Sequence, residues 1–293
     1  MNELTAKNHS EHEERTKLNE AREYKIIKAN ELIQKSRFQL TLQEQKLVLF
    51  LISRIIPEDK ELHEYTFSIS AFCDVCGIDS ASGGNYHNIK KTIKALADKS
   101  IWIQQDDGKE SIFRWIADAI MQRQSGQITV ILHEKLKPYL LQIRDKFTQY
   151  ALLYILAMKG KYSVRMYELL KSYEYLHIKV FDIDELRKLL MAEKYTRYAD
   201  FKRNVLDISM REINDFSDMN VNYDVLQNGR KYAKLKFHIK TKKEIDDRIK
   251  TWSNIDAVLN TPRQMTLTSI FDVPQENEVP NSDVHQRSIT TAR

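Results

Sequence analysis

The chain has 293 residues, 42% of them apolar, with only seven glycines and five prolines; this suits two domains with buried cores and excludes a collagen-like or wholly disordered chain. Two cysteines provide no disulfide framework and fit a reducing cytoplasm, no apolar run approaches the ~18 residues of a membrane span, and residues 1–20 lack a secretory apolar region. The net charge of +5 is unevenly spread: residues 194–243 hold twelve basic and six acidic side chains, and residues 244–293 hold five and eight, so a basic block in a nearly neutral protein points to a polyanion partner.

Residues 1–29 read as a polar, flexible arm. From Thr41, apolar residues Leu42, Leu47, Phe50, Leu51 and Ile55 recur at helix spacing until Pro57 stops the run. Tyr65–Ile69 alternates as a strand, Ser70 suits the N-cap of a helix over Ala71–Cys76, and Gly77 suits its C-terminal stop. After a turn at residues 80–84, a second helix turns Ile89, Ile93 and Leu96 inward and Lys90, Lys91 and Lys94 outward. Residues 101–103 read as a strand, 106–109 as a hairpin turn, 111–120 as the returning strand, and 127–132 as a further strand. Helix, strand, two helices and a hairpin in that order spell a winged helix.

The second half repeats the order. Residues 150–158 and 164–176 read as helical, 180–182 as a short strand, and Asp182 with Glu185 as a capping box opening the helix 183–191. A basic turn, 194–198, leads to a long amphipathic helix, 199–216, with Phe201, Val205, Ile208, Ile213 and Phe216 on its apolar face. Val221–Val225 alternates, Asn228-Gly229 marks a hairpin, and 231–239 alternates back. Phe67-Ser-Ile69 resembles Phe181-Asp-Ile183, and Ile89–Ile93 resembles Phe201–Val205, at offsets of 114 and 112 residues. Such a repeat means two copies of one domain. The expected fold is therefore α+β: two tandem winged-helix domains, residues 30–148 and 149–243, with the arm 1–29 before them and an acidic, largely disordered tail, 244–293, after them.

A winged helix lays its second helix in the major groove and its wing on the backbone or minor groove. On the helix 199–216, a projection at 100° per residue puts Arg203, Asn204, Asp207, Arg211 and Asn214 on the polar face. Arg203 and Asn204, near its N-terminus, are the candidate base readers, helped by Arg197; an arginine fork fits guanine and an asparagine amide fits adenine. Lys194 and Lys202 are candidate phosphate contacts, and Arg230, Lys231 and Lys234 form a basic wing tip. In the first domain Lys90, Lys91 and Lys94 either touch DNA or cover a helix face with their stems, and its hairpin could serve self-association instead.

Chemistry-bearing motifs are sparse. Cys73-Asp-Val-Cys76 has no second pair for structural zinc and no thioredoxin-like context, and reads as two ordinary cysteines on a partly buried helix. No glycine precedes Lys-Ser or Lys-Thr, and no His-x-His pair exists, so neither a P-loop nor a nickase metal site is present in the sequence. The chain reads as non-enzymatic, without cofactor or metal. Trp102 and Trp115 read as core of the first hairpin.

Twin winged helices, Leu42-x-x-Gln45-Lys-Leu47, and the stretch from Arg211-Glu-Ile-Asn214 through Asn222-Tyr223 to Lys234-x-Lys-Phe237-x-Ile239 resemble the plasmid replication initiators that bind iterons, over about residues 28–243. The resemblance implies a cytoplasmic protein that binds repeated double-stranded DNA at an origin as a monomer, recruits the host initiator and replicative helicase, and represses its own promoter as a dimer. It implies that the C-terminal winged helix makes the main base contacts, carried here by Arg197, Lys202, Arg203 and Asn204. A winged-helix transcriptional regulator is the alternative.

Overall fold

The computed structural model describes residues 17–18, 20–78, 85–229 and 231–260. After strand β1 (Lys25–Ala29), helix α1 (Asn30–Gln34) and strand β2 (Ser36–Arg37), the first domain enters helix α2 (Leu42–Ile52). Helix α2 starts where it does because Thr41 and Glu44 cap it reciprocally: the Thr41 hydroxyl accepts from the Glu44 amide (3.3 Å) and the Glu44 carboxylate accepts from the Thr41 amide (2.7 Å). Strand β3 (Glu64–Ser68) runs into helix α3 (Ile69–Cys76), and helix α4 (Asn85–Ala97) follows. The cap of α3 is Ser68, whose hydroxyl accepts from the Ala71 amide (3.0 Å), two residues before the serine expected from sequence. Gly77 closes α3 in the left-handed region, φ +66°. Cys73 and Cys76 form no disulfide and are buried, and burial pushes the Cys76 thiol up to about 12. The expected turn at residues 80–84 lies outside the described residues.

Four strands follow: β4 (Ser100–Gln104), β5 (Glu110–Arg114), β6 (Ile116–Gln122) and β7 (Gln127–Leu132). They belong to two sheets, β2-β4-β5 and β3-β7-β6. The sequence reading of 111–120 as one returning strand is thus corrected. The chain breaks at Trp115, which is buried edge-on against Phe38 at 5.1 Å and carries the backbone from one sheet to the other. The wing of the first domain is therefore β6–β7, paired with β3, and the 106–109 turn belongs to a separate hairpin. Trp102 is corrected too: it is 39% exposed, because alternation in β4 buries Ile101 and Ile103 and turns Trp102 outward, opposite Ile112.

A short helix α5 (Lys137–Leu140) leads to β8 (Phe147–Ala151), which pairs antiparallel with β1. Residues 150–158 are consequently a strand end followed by helix α6 (Leu153–Leu156), and residues 25–29 are structured where a flexible arm was expected. Helix α7 (Lys161–Lys171) opens the second domain's order. It continues through β9 (Ile178–Asp182), helix α8 (Ile183–Leu189), the long helix α9 (residues 198–216), β10 (Met219–Asn228) and β11 (Lys231–Thr241). The sheet order β10-β11-β9 reproduces β6-β7-β3, so the internal repeat is one of topology as well as of sequence.

The tail reading also needs correction over its first part. Helix α10 (Ile245–Leu259) packs Ile255 and Leu259 inward, and the Lys242 ammonium ties it down through the Ser217 carbonyl (2.8 Å) and the Thr251 hydroxyl (2.9 Å). A Cβ on Gly77 would stand 3.2 Å from the Leu259 backbone and side chain, so that glycine also permits the close approach of α10. The helix was illegible because only scattered apolar positions in an acidic stretch are buried.

Helix α7 joins the two domains. Its Arg165 donates to the carbonyls of Ile33 (2.6 Å) and Ser36 (2.8 Å), while its Tyr167 donates to Asp218 (3.0 Å) and its Lys171 pairs with Asp218 (2.7 Å). Glu212, on α9, accepts from the amides of Lys159 (3.2 Å) and Gly160 (2.9 Å) at the N-terminus of α7. Close by, the buried Lys46 ammonium donates to the Leu156 carbonyl (2.6 Å), and no carboxylate among the described residues pairs with it. Burial pushes it from 10.5 down to about 8. Between pH 8 and 10.5 the unfolded chain therefore holds a proton that the folded chain has released, so stability rises with pH across that window. The rise amounts to roughly 3 kcal/mol. Urea unfolding at pH 7 and pH 10 checks this: Lys46→Met is expected to flatten the rise relative to the unaltered chain, and an unchanged difference would discard the assignment.

Candidate nucleic-acid interface

The candidate readers lie on α9 and the turn before it. Arg197 is the N-cap residue of α9, and its side chain is 80% exposed; Arg203, six residues on, is 77% exposed. Both lean on Asp200, at 3.8 and 3.2 Å, which orients two guanidinium groups toward solvent from the first turns of the helix. The Lys202 ammonium binds both oxygens of Asp207 (2.8 Å each). Lys194 is exposed and stands over the Tyr195 ring at 5.0 Å, and Arg211 is exposed further along α9.

The uniform 100° projection does not hold along this helix. Residues 202–206 (Lys202–Leu206) form a π-helical turn between α-helical Tyr198–Phe201 and Asp207–Phe216. The extra residue shifts the phase of everything that follows. Asn204 is half-buried, and its amide donates to the Asp200 carbonyl (2.8 Å), so the candidate adenine reader is occupied in satisfying the helix backbone. Asn214 is likewise turned to the sheet, exchanging two hydrogen bonds with the Val221 backbone (2.7 and 3.0 Å). Sequence periodicity alone cannot register a π turn.

The wing of the second domain is clasped to α9 by aromatic side chains. The Tyr198 and Tyr232 rings stack with centroids 4.3 Å apart. Tyr232 reaches the helix side because the register shifts between Leu226 and Gln227, leaving Ala233 unpaired and reversing the alternation of β11. Tyr223 lies against Tyr198 and Asp207; burial first, and then those neighbours, hold its phenol well above the usual range. Lys234 is exposed on the outer sheet face, in register with Asp182. Gly229 turns the hairpin at φ +60°. Arg230 and the side chain of Lys231 lie outside the described residues.

In the first domain Lys90, Lys91 and Lys94 are exposed on α4, with Lys94 paired to Asp98 (2.9 Å). The reassigned wing brings a cation that the sequence reading missed: Arg123, exposed at the β6–β7 turn. Only the pairing of β6–β7 with β3, rather than any local motif, marks it out. Among the described residues there is no cluster able to hold a metal ion and no helix long and apolar enough to cross a membrane.

Two copies of a helix–turn–helix, each backed by a three-stranded sheet and the second crowned by paired arginines, define a tandem winged-helix protein. The chain matches the family model described as Initiator Replication protein, WH1, over residues 25–171, a match that runs through α7, and the model described as Initiator Rep protein, WH2, over residues 182–239. The chain belongs to this replication initiator family. It is 28% identical over 270 residues to a replication initiation protein of Escherichia coli, covering 83% of this chain and 82% of the relative. Its fold is similar to that in the crystal structure of Pi initiator protein in complex with iteron DNA, with a TM-score of 0.63 and 21% identity, covering 76% of this chain and 99% of that one.

Proposed function

We propose that this replication initiator binds repeated double-stranded DNA sites, iterons, at a plasmid origin. In this reading residues 149–243 are the main reading domain, and residues 30–148 add backbone contacts through Lys90, Lys91, Lys94 and Arg123. The observation that carries it is the pair Arg197 and Arg203, projected from the start of α9 beside a wing fixed to the same helix. Arg203 reads a base edge, Arg197 supports it, and Lys194, Lys202, Arg211, Arg230, Lys231 and Lys234 neutralise phosphates. The fold likeness to an initiator solved on iteron DNA supports the same assignment. Recruitment of the host initiator and helicase, self-association and repression of its own promoter complete the reading, which needs no catalytic step.

Footprinting on DNA flanking the protein's own gene, at two salt concentrations, tests it. Regularly spaced protected repeats are the expected result; one protected palindrome over a promoter would replace the initiator reading with that of a regulator, and protection without sequence preference would discard both. Asp200 offers a second check. Its carboxylate repels phosphates while orienting Arg197 and Arg203, so Asp200→Ala is expected to tighten non-specific binding roughly threefold while loosening the specific complex. A parallel change on both DNAs would contradict the orienting role.

A further inference from the structure

Strand β9 lies at one edge of the second domain's sheet and has one partner, β11. The Ile239 amide donates to the His177 carbonyl (2.8 Å), and in the register that continues from it the odd-numbered residues of β9 are those bonded to β11. The N–H and C=O groups of Ile178 and Val180 therefore point to the open side, and no hydrogen bond among the described residues reaches them. Their side chains stand on the outer face of the sheet, 45% and 41% exposed, and Tyr175 and Leu176 just before the strand extend that apolar surface. Edge strands are ordinarily guarded by outward charges. Here the charge is turned away: the Lys179 ammonium stands over the Tyr173 and Phe181 rings at 4.1 and 5.2 Å. The first domain supplies an internal control. Strand β3 occupies the same place in its sheet, and at the repeat offset of 114 residues Ile178 and Val180 correspond to Glu64 and Thr66, both exposed. Ser68 and Asp182 correspond too, and each caps the helix that follows. Two outward edge positions that are polar in one copy of the domain are thus apolar in the other.

We propose that the occupant of this edge is β9 of a second copy of the chain, paired antiparallel about a two-fold axis through Val180, so that two three-stranded sheets join into one. This rests on the self-association in the reading above and deepens it by giving it a surface. In this register β9 matches itself over its whole length: Val180 faces Val180 of the second copy, Ile178 faces Asp182, and Lys179 faces Phe181. Residues 178, 180 and 182 then pair with one another, so the open N–H and C=O groups of Ile178 and Val180 find partners. The Ile178 and Val180 side chains of both copies form one apolar cluster on the outer face. Charge is complementary as well. His177 and Lys179 lie toward the start of β9, and Asp182 and Glu185 lie at its end and just beyond. Antiparallel pairing sets the acidic end of each copy beside the basic end of the other. Strand β10 lies at the opposite edge of the sheet, so the pairing leaves the wing uncovered.

Amide hydrogen exchange on the full chain, across a range of protein concentrations, tests this. Protection of the Ile178 and Val180 amides is expected to grow about tenfold or more from dilute to concentrated protein, while Lys179 and Phe181, bonded to β11, change little. Val180→Lys should abolish that growth and shift self-association about tenfold or more toward the monomer. Its melting temperature in dilute solution and its binding to a single DNA repeat should stay unchanged, because the side chain lies outside the core. Val180→Cys should cross-link to itself on oxidation, since the axis sets the two Cα atoms about 5.5 Å apart. Ile178→Cys, facing Asp182 of the second copy, should not. Fast exchange of Ile178 and Val180 at every concentration would overturn the proposal. So would self-association that Val180→Lys leaves unaltered, which would move the interface to another surface such as the β4–β5 hairpin. Protection already complete in the dilute monomer would overturn it too, by marking another part of the same chain on the edge. Each of these failures leaves the DNA reading standing, which footprints on the repeats test separately.

Discussion

Replacing Glu168 by alanine is expected to lower the unfolding free energy by about 3–5 kcal/mol, more than any other single change at the domain junction. Glu168 sits on α7 with its side chain 3% exposed, and it pairs with the Lys28 ammonium of β1, itself 5% exposed. The Tyr150 hydroxyl of β8 donates to the same carboxylate. Burial lowers the Lys28 ammonium below its usual range even with this partner beside it, so without the carboxylate an uncompensated cation would be left in the core. The melting temperature should fall by roughly 10 °C. Changing Lys28 to Met and Glu168 to Leu together should return the stability to within about 2 kcal/mol of the unaltered chain, because apolar replacement removes both desolvation costs at once. Urea unfolding of the single and paired variants checks this. An equal loss in both would assign the effect to packing rather than to the stranded charge.

That junction was invisible in the sequence for the reason that makes it strong: its partners lie far apart. Lys28 meets Glu168, and Ile26 pairs with Tyr150 across more than a hundred residues, so a local reading took β1 for an arm and the end of β8, from Tyr150, for helix. The repeat was legible because each copy is built from local periods: the strand ends at Phe67 and Phe181, and the second helices at Ile89–Ile93 and Phe201–Val205. The first wing was misplaced because two hairpins follow α4, each with a plausible turn, and only pairing to β3 distinguishes β6–β7. Of the candidate readers, exposure and charge placed Arg197 and Arg203 on the solvent side of α9, whereas the π turn and the Asp200 carbonyl engaged Asn204.

Arg203→Ala should therefore carry the largest effect on DNA recognition, weakening the specific complex roughly 10- to 100-fold, the equivalent of about 1–3 kcal/mol. Binding to unrelated DNA should fall by less than about threefold, since one positive charge among many is lost. The asymmetry follows from geometry. Arg203 is free to swing from a single surface carboxylate to the two acceptors of a guanine, and its helix is held in register with the wing by the Tyr198–Tyr232 stack. Lys202 is a point charge tied to Asp207 and can offer a phosphate one contact but no base pattern. Competition titrations of the variant on an iteron and on unrelated DNA of equal length, at matched salt, give the two losses separately. Equal losses would make Arg203 a phosphate contact and transfer the reading role to Arg197, the other guanidinium that Asp200 holds.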